Sequence, residues 1–422
     1  MSEYQNIIIV GASAAGHNLA NYLLPTLPTS HRIILIDALD YSFWPIAALR
    51  AAVVPGWERK VVVPLSEETV FPAGSFHKVL APNKVVELKE SSVVLEKPFE
   101  GSAEVPFFKC ILATGSSQPS PMRPPPGSSI QECQQAFVKS QDEIKQATKV
   151  VIIGGGAVGL EIAGEIRAAH PSKSITIVHS NTHVLNPSAS APESNGKTLS
   201  YSDPPTLPKL STTLEKILQE MKIDVVLDDK VSIPASVGDD PSDWSGRFGL
   251  QDGVKKIKLA SGKTLEGDYV FISVGNKPNV ILVQKVDEKA LDSGLISVDE
   301  YLRVRSANPA SLLTKNYYAI GDCCSYPGWK TVINADYDAK GCMTNIVNEV
   351  KGKPIKKYVR SSLGAMIIPL GPDRGSGTMT LPVLGTWQAP QAMVKAIKAK
   401  GLFVDEAFLP RFKGAKKVKA AA

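Results

Sequence analysis

Apolar and polar positions fall into two copies of one pattern. The unbroken apolar run Ile7-Ile8-Ile9-Val10 leads into a tight turn from Gly11 to Gly16, and Asn18 to Leu24 follow with helical spacing. Pro25 and Pro28 end that helix, and Arg32 to Ile36 makes a second apolar strand that stops at Asp37. The pattern returns at residues 149–180. There Val150-Val151-Ile152-Ile153 runs into Gly154-Gly155-Gly156-Ala157-Val158-Gly159, an amphipathic helix follows, and Ile175-Thr176-Ile177-Val178 closes the unit. Each copy is a βαβ unit, and the duplication predicts an α/β chain with two Rossmann-like dinucleotide-binding domains.

Between and after the units the pattern loosens. Residues 186–206 are rich in Ser, Pro and Asn and read as a mobile surface insertion, and 239–249 read as a second inserted loop. The apolar strands Ile111-Leu112 and Tyr269 to Val274 break at Ala113-Thr114-Gly115 and at Gly275, and Asn316 to Ile320 runs into Gly321-Asp322. Beyond about residue 350 the chain turns Gly-rich and then Lys-rich, ending FKGAKKVKAAA.

Composition narrows the picture only a little. The 422 residues are 43% hydrophobic, enough for proper cores and too many for a disordered chain. A net charge of +6, with lysines scattered until the last dozen residues, does not suggest a nucleic-acid binder. The five cysteines form neither a disulfide framework nor a C-x-x-C centre, which fits a reducing, cytoplasmic setting. The start MSEYQNIIIVGAS has no signal-peptide or transit-peptide pattern, and Ser2 excludes N-myristoylation. No apolar run is long enough to span a bilayer.

The chemistry sits in the turns. Gly11 permits a tight bend and Gly16 close helix–strand packing, so the helix N-terminus presents backbone N–H groups to a pyrophosphate. Ser13 stands at the middle position of G-x-G-x-x-G, where glycine is usual; it is small, and its hydroxyl is a donor. Asp37 is placed to accept hydrogen bonds from ribose hydroxyls. The second turn is complete, with Gly154, Gly156 and Gly159, but its second strand ends at His179-Ser180, with no acid for an NAD ribose and no arginine pair for a 2′-phosphate. NADH and NADPH therefore stay equally open. Glu161 lies one turn into the second helix, close to where a nicotinamide meets a flavin. The alternative is that Glu161 and Glu165 form a solvated helix face.

Together these residues resemble the pyridine-nucleotide-disulfide-oxidoreductase-like flavoproteins, and within them the apoptosis-inducing-factor-like group that includes the ferroptosis-suppressor quinone reductases. Ser42-Phe43 and Ala48-Leu49-Arg50-Ala51 look like that group's flavin-side segment, and Ala113, Thr114, Gly115 and Gly275-Asn276-Lys277-Pro278-Asn279 match its two linking motifs. Gly321-Asp322 matches the FAD signature, which implies that Asp322 holds the ribityl chain. Lys330 and Asp338-Ala339-Lys340-Gly341 match the segment beneath the isoalloxazine ring, which implies that Lys330 or Lys340 stabilises reduced flavin; either is otherwise a surface lysine. Gly364-Ala365 and Gly371 to Gly375 resemble the C-terminal hairpin.

The resemblance implies an FAD domain of residues 1–120 and 270–345, an NAD(P)H domain of 121–269, and a C-terminal α+β segment of 346–422. It implies FAD and NADH or NADPH as cofactors. The redox cysteine pair of glutathione-reductase-like members is missing, because residues 41–56 read YSFWPIAALRAAVVPG. Electrons are therefore expected to leave the flavin directly for a quinone-type acceptor. A redox-sensing flavoprotein with slow turnover and a reductase of a small electron-carrier protein remain the alternatives. Adjacent Cys323-Cys324 read as buried small residues. Phe403, Phe408, Leu409 and Phe412 beside Lys413, Lys416, Lys417 and Lys419 suggest docking on an anionic membrane surface, such as a lipid droplet or the outer mitochondrial face; the alternative is a frayed basic tail.

Overall fold

A computed structural model describes residues 4–185, 193–194, 197–198, 207–234, 240–274, 276–360, 364–381 and 385–412. Most of the 186–206 insertion, Gly275 and the tail lysines from Lys413 onward lie outside the described residues.

The two repeated units nucleate two separate sheets. In the first, β1 (Gln5–Val10), α1 (Ala14–Leu23) and β2 (His31–Ile36) are followed by strands from further along the chain, giving the parallel order Tyr317–Ala319, Lys109–Leu112, β1, β2, Lys78–Leu80. β1 and β2 are apolar on both faces because the sheet is covered twice. One face carries α1 and α3 (Val332–Val350). The other meets a three-stranded antiparallel sheet, Val85–Leu88, Ser92–Phe99 and Ser102–Pro106.

The second unit consists of β3 (Lys149–Ile153), α2 (Ala157–Ala169) and β4 (Ser174–Val178). Its sheet runs Asp224–Val226, β4, β3, Thr264–Ile272, Gly249–Lys258, parallel except for the last edge. Strand Thr264–Ile272 belongs to this sheet over its whole length. The loop read as an insertion at 239–249 is partly packed: Trp244 is buried, and its indole N–H donates to the Arg247 carbonyl.

The C-terminal segment adds a third antiparallel sheet, Gly364–Leu370, Arg374–Leu381 and Gly385–Ala389. Its first strand presses so closely on α2 that a Cβ on Gly164 would lie 2.4 Å from the Leu370 Cα. Irregular helix then runs to Phe412, with Phe403 and Leu409 partly buried along it. Phe408 and Phe412 are fully buried. They pack with Leu402 and Val404 on Tyr41, Phe43 and Trp44; the Trp44 ring stacks on Phe408 at 5.2 Å, and its N–H donates to the Leu402 carbonyl at 2.8 Å. These two rings thus have a protein partner in the aromatic residues of the 41–44 segment. Among the described residues, no helix is long and apolar enough to cross a membrane.

Candidate cofactor and electron-transfer site

The two turns are built on the same backbone crossing. Gly11 has φ +105° and Gly154 φ +109°, conformations that L side chains rarely adopt. A Cβ on Gly11 would sit 2.3 Å from the Ala113 carbonyl oxygen. Cβ atoms on Gly16 and Gly159 would sit 1.9 Å from the carbonyl oxygens of Gly11 and Gly154. Only glycine lets each helix start this close to its strand, and the first free N–H groups of each helix then face outward at the turn. The middle position carries no such demand. Ser13 is extended at φ −83°, ψ −162° and Gly156 at φ −77°, ψ −179°, and a Cβ on Gly156 meets nothing. Ser13 therefore fits a pyrophosphate cradle without strain, its side chain exposed at the N-cap of α1.

Asp37 closes the first cradle. Its carboxylate accepts the Ala12 N–H at 2.6 Å and the Leu39 N–H at 2.9 Å, one on each oxygen. Burial pushes its carboxyl up from the ordinary value, and the backbone donors, Ala12 first, pull against that. Each oxygen keeps a lone pair for a ribose hydroxyl.

The two linking motifs meet each other in the part that is described. Ser116-Ser117 pairs antiparallel with Lys277-Pro278. The Thr114 hydroxyl donates to the Asn279 carbonyl at 2.6 Å, and the Asn279 amide N–H donates back to the Thr114 carbonyl at 2.8 Å. Gly115 accepts the Asn279 N–H through its carbonyl. Gly11 abuts this crossing through Ala113, so the pyrophosphate turn and the link between the two sheets form one continuous surface.

Asp322 sits on the 3-10 turn after Ile320. One oxygen accepts the Ser116 hydroxyl at 3.0 Å and lies 3.4 Å from Arg123. Arg123 was not foreseen: it stands in a Pro-rich stretch with no periodicity to mark it. Asp338, fully buried on α3, holds the Gly321 N–H at 3.2 Å and is itself clamped by Arg360 at 2.8 Å and by the Tyr358 hydroxyl at 2.9 Å. The Gly321-Asp322 turn is thus tied to the chain beyond α3.

Three expected site residues make their contacts within the protein. The Arg50 guanidinium, expected at the cofactor, is buried in a brace between its own short helix, α2 and the C-terminal segment. It donates to both Glu165 oxygens at 2.9 and 2.7 Å and to the Lys400 carbonyl at 2.9 Å, so each of its three nitrogens has a partner within the protein. Lys340 is exposed on α3, paired with Asp336 at 2.8 Å and lying over the Tyr22 ring. Tyr22 is nine residues beyond Ser13, so this end of α1 is about 13 Å from the phosphate turn by helix rise alone. Glu161 is not a solvated face: its carboxylate meets Lys398 of the C-terminal segment at 2.8 Å, and Lys398 also donates to the Ile367 carbonyl. Burial raises the carboxyls of both Glu161 and Glu165, while the Lys398 and Arg50 charges respectively oppose that rise. Lys330 stays beside the Gly321-Asp322 turn, its ammonium donating to the Cys324 carbonyl at 2.5 Å and the Tyr326 carbonyl at 3.0 Å. Cys323 and Cys324 are free and buried, and burial lifts both thiols, that of Cys324 to about 12.

With this geometry in place, the sequence matches the pyridine nucleotide-disulphide oxidoreductase family over residues 5–339. The chain belongs to that family. It is a flavin-dependent oxidoreductase of the type that uses FAD and NAD(P)H, and the glycine cradles and the Asp37 and Asp322 carboxylates fit those cofactors. Similar proteins include ferroptosis suppressor protein 1 of Homo sapiens, 27% identical over 95% of this chain and 94% of that protein. Apoptosis-inducing factor homolog B of Dictyostelium discoideum is 26% identical over 96% of each. Among solved structures, putidaredoxin reductase in covalent complex with putidaredoxin superposes with a TM-score of 0.62 at 18% identity, covering 90% of this chain and 82% of that one. That likeness shows the shared oxidoreductase fold.

Proposed function

We propose that this flavoprotein passes electrons from NAD(P)H through the flavin directly to a small quinone-type oxidant, with no thiol relay. The observation that carries the proposal is the state of the cysteines. Residues 41–56 contain none, and Cys323 and Cys324, the two beside the Gly321-Asp322 turn, are buried with thiols held away from the reactive thiolate form. The likeness to ferroptosis suppressor proteins over almost the full chain supports a quinone as the acceptor.

In this reading the bound FAD supplies the two-electron chemistry, accepting reducing equivalents from the nicotinamide and returning them to the acceptor. The chain's own residues do the placing. The Gly11–Gly16 turn and Asp37 hold the adenosine end, and Asp322, steadied by Ser116, holds the ribityl chain. The Gly154–Gly159 turn holds the nicotinamide dinucleotide. Lys330 adds positive charge beside the Gly321-Asp322 turn, and the Glu161–Lys398 pair fixes the start of α2 against the C-terminal segment.

Stopped-flow absorbance in the visible flavin band tests this. Bleaching by NADH or NADPH, followed by fast recovery on adding a short-chain ubiquinone, is expected. A Cys323→Ala/Cys324→Ala variant should recover at the same rate. Recovery with ferricyanide but not with quinone overturns the quinone acceptor, and loss of recovery in the double variant overturns direct transfer.

A further inference from the structure

The two units can be laid on each other residue by residue, and one pair of positions differs in kind. In the first, the Gly11 N–H donates to the Ile36 carbonyl; the next residue, Asp37, caps the strand and accepts the Ala12 N–H. In the second, the Gly154 N–H donates to the Val178 carbonyl, and the next residue is His179. Its Nδ1 accepts the Gly155 N–H at 3.1 Å, and its ring lies so flat on Gly155 that a Cβ there would come within 2.9 Å. Imidazole and carboxylate perform the same backbone task at the same place.

They present opposite chemistry to whatever lies beyond. A carboxylate has lone pairs only and suits the hydroxyls of a ribose diol. With Nδ1 accepting, the proton of the neutral imidazole is on Nε2, so the outward edge of His179 is a donor rather than an acceptor, with the His183 backbone also within reach of the ring. The Asn181 amide nitrogen lies 3.5 Å from that Nε2, a second donor at the same corner. Of the two acids at the start of the next loop, Asp229 is occupied by the Ser261 hydroxyl and by the N–H groups of Ser261 and Lys230. Asp228 is exposed, its N–H bonded to the Asn181 carbonyl.

We infer that His179 is the specificity-determining residue of the second nucleotide site and selects a 2′-phosphorylated ribose, so that NADPH is preferred to NADH. A phosphate brings acceptor oxygens to this corner, and β4 itself ends in an imidazole rather than a carboxylate, the exposed Asp228 lying on the neighbouring loop. The inference deepens the reading of the second unit as the nicotinamide site and rests on it.

Calorimetric titration of the FAD-loaded protein with 2′,5′-ADP and with 5′-AMP tests the point without turnover. The 2′-phosphorylated probe should bind roughly tenfold tighter or better, the value of one hydrogen bond to a charged group. His179→Glu should erase or reverse that order while keeping an acceptor for the Gly155 N–H, and unchanged flavin content would show that the variant folds. Equal binding of the two probes by the unaltered protein, or tighter binding of 5′-AMP, overturns NADPH preference. A preference that survives His179→Glu overturns the assignment to this residue. Failure of both probes to bind, with no bleaching of the flavin by either nicotinamide, would instead remove the second unit as the nicotinamide site.

Discussion

The turn at 11–16 and the turn at 154–159 share their glycine geometry and the strand-to-turn hydrogen bonds of Gly11 and Gly154, and differ where side chains face outward. In both, the last glycine faces a carbonyl oxygen 1.9 Å from where its Cβ would be, and the first glycine takes a positive φ near a right angle. Outward, the first has Ser13 and Asp37 and the second has Gly156 and His179. An incomplete fingerprint is therefore not a weaker cradle: what the fold needs is complete in both copies, and what varies is what each copy shows to its ligand. The same comparison extends along the helices. Counting from the turns, His17, Asn18 and Tyr22 of α1 correspond to Leu160, Glu161 and Glu165 of α2, so the two helices carry unlike residues at matched positions.

The sharpest way to break the comparison is to add one methyl group at matched positions. Gly16→Ala and Gly159→Ala each drive a Cβ into backbone that cannot move aside, and each should cost more than about 3 kcal/mol or prevent folding. Gly156→Ser, which makes the second turn resemble the first, should change stability by less than about 0.5 kcal/mol. Thermal unfolding of the three variants checks this; a stable Gly159→Ala would show that the second turn is looser than the first.

The turns were legible in the sequence because their determinants are local: an apolar run, a glycine at fixed offset, a strand-ending side chain. The brace was not. Arg50, Glu165 and Lys400 are far apart in the chain, and an arginine in a flavin-side segment looks the same whether it meets a cofactor or a buried glutamate. Phe408 and Phe412 beside a lysine-rich tail show the composition of a membrane anchor, and only the position of Trp44 reveals that their partner is protein. Arg123 and the Asp338–Arg360 clamp escaped notice for the same reason, being defined by what the fold brings together.

That brace sets the next prediction, since it exists on α2 and has no counterpart on α1. Arg50→Met leaves the Glu165 carboxylate buried without its partner and should cost about 3–5 kcal/mol. Combining it with Glu165→Leu removes the stranded charge and should restore most of the loss. Chemical denaturation of the single and double variants measures the coupling. If the double variant is as unstable as the single, the segments are held by the Lys400 carbonyl contact and the packing around it rather than by the ion pair.

His17 is the counterpart of Leu160, and it sharpens the comparison through pH. Its ring is fully buried, 4.1 Å from the Phe412 ring, and neither nitrogen makes a well-formed hydrogen bond; the nearby Arg411 backbone offsets only part of the cost. Burial lowers its pKa from 6.5 to about 4. The neutral form is the one the fold holds, so the unfolded chain takes up the proton first as pH falls. Stability from this group is complete above 6.5 and is lost progressively between 6.5 and 4. His17→Leu, which copies the second helix, should flatten that part of the pH profile, by up to about 3 kcal/mol at its acid end. His77, also lowered to about 4 by burial, will keep part of the slope in place. Tm measured across this range in both proteins decides the matter, and parallel profiles would mean that His17 is hydrated or paired in solution.

The smallest effect is expected at the residue that departs most visibly from the fingerprint. Ser13 is exposed and extended, and its side chain makes no cap to the helix it precedes, so Ser13→Gly removes no contact within the protein. Glycine gives up about 0.5–1 kcal/mol in backbone freedom on ordering, and a hydroxyl donating to a phosphate oxygen contributes about as much or somewhat more. The two terms act on different states. The first lowers Tm slightly whether or not flavin is bound, and the second appears only in FAD affinity. Titrating FAD into apoprotein should therefore show Ser13→Gly weakening binding by no more than roughly tenfold, with the flavin spectrum unchanged. A tighter FAD complex in the variant would mean that the serine side chain stands in the way of the pyrophosphate. The first turn would then have given up affinity where the second, with Gly156, has kept the closer approach.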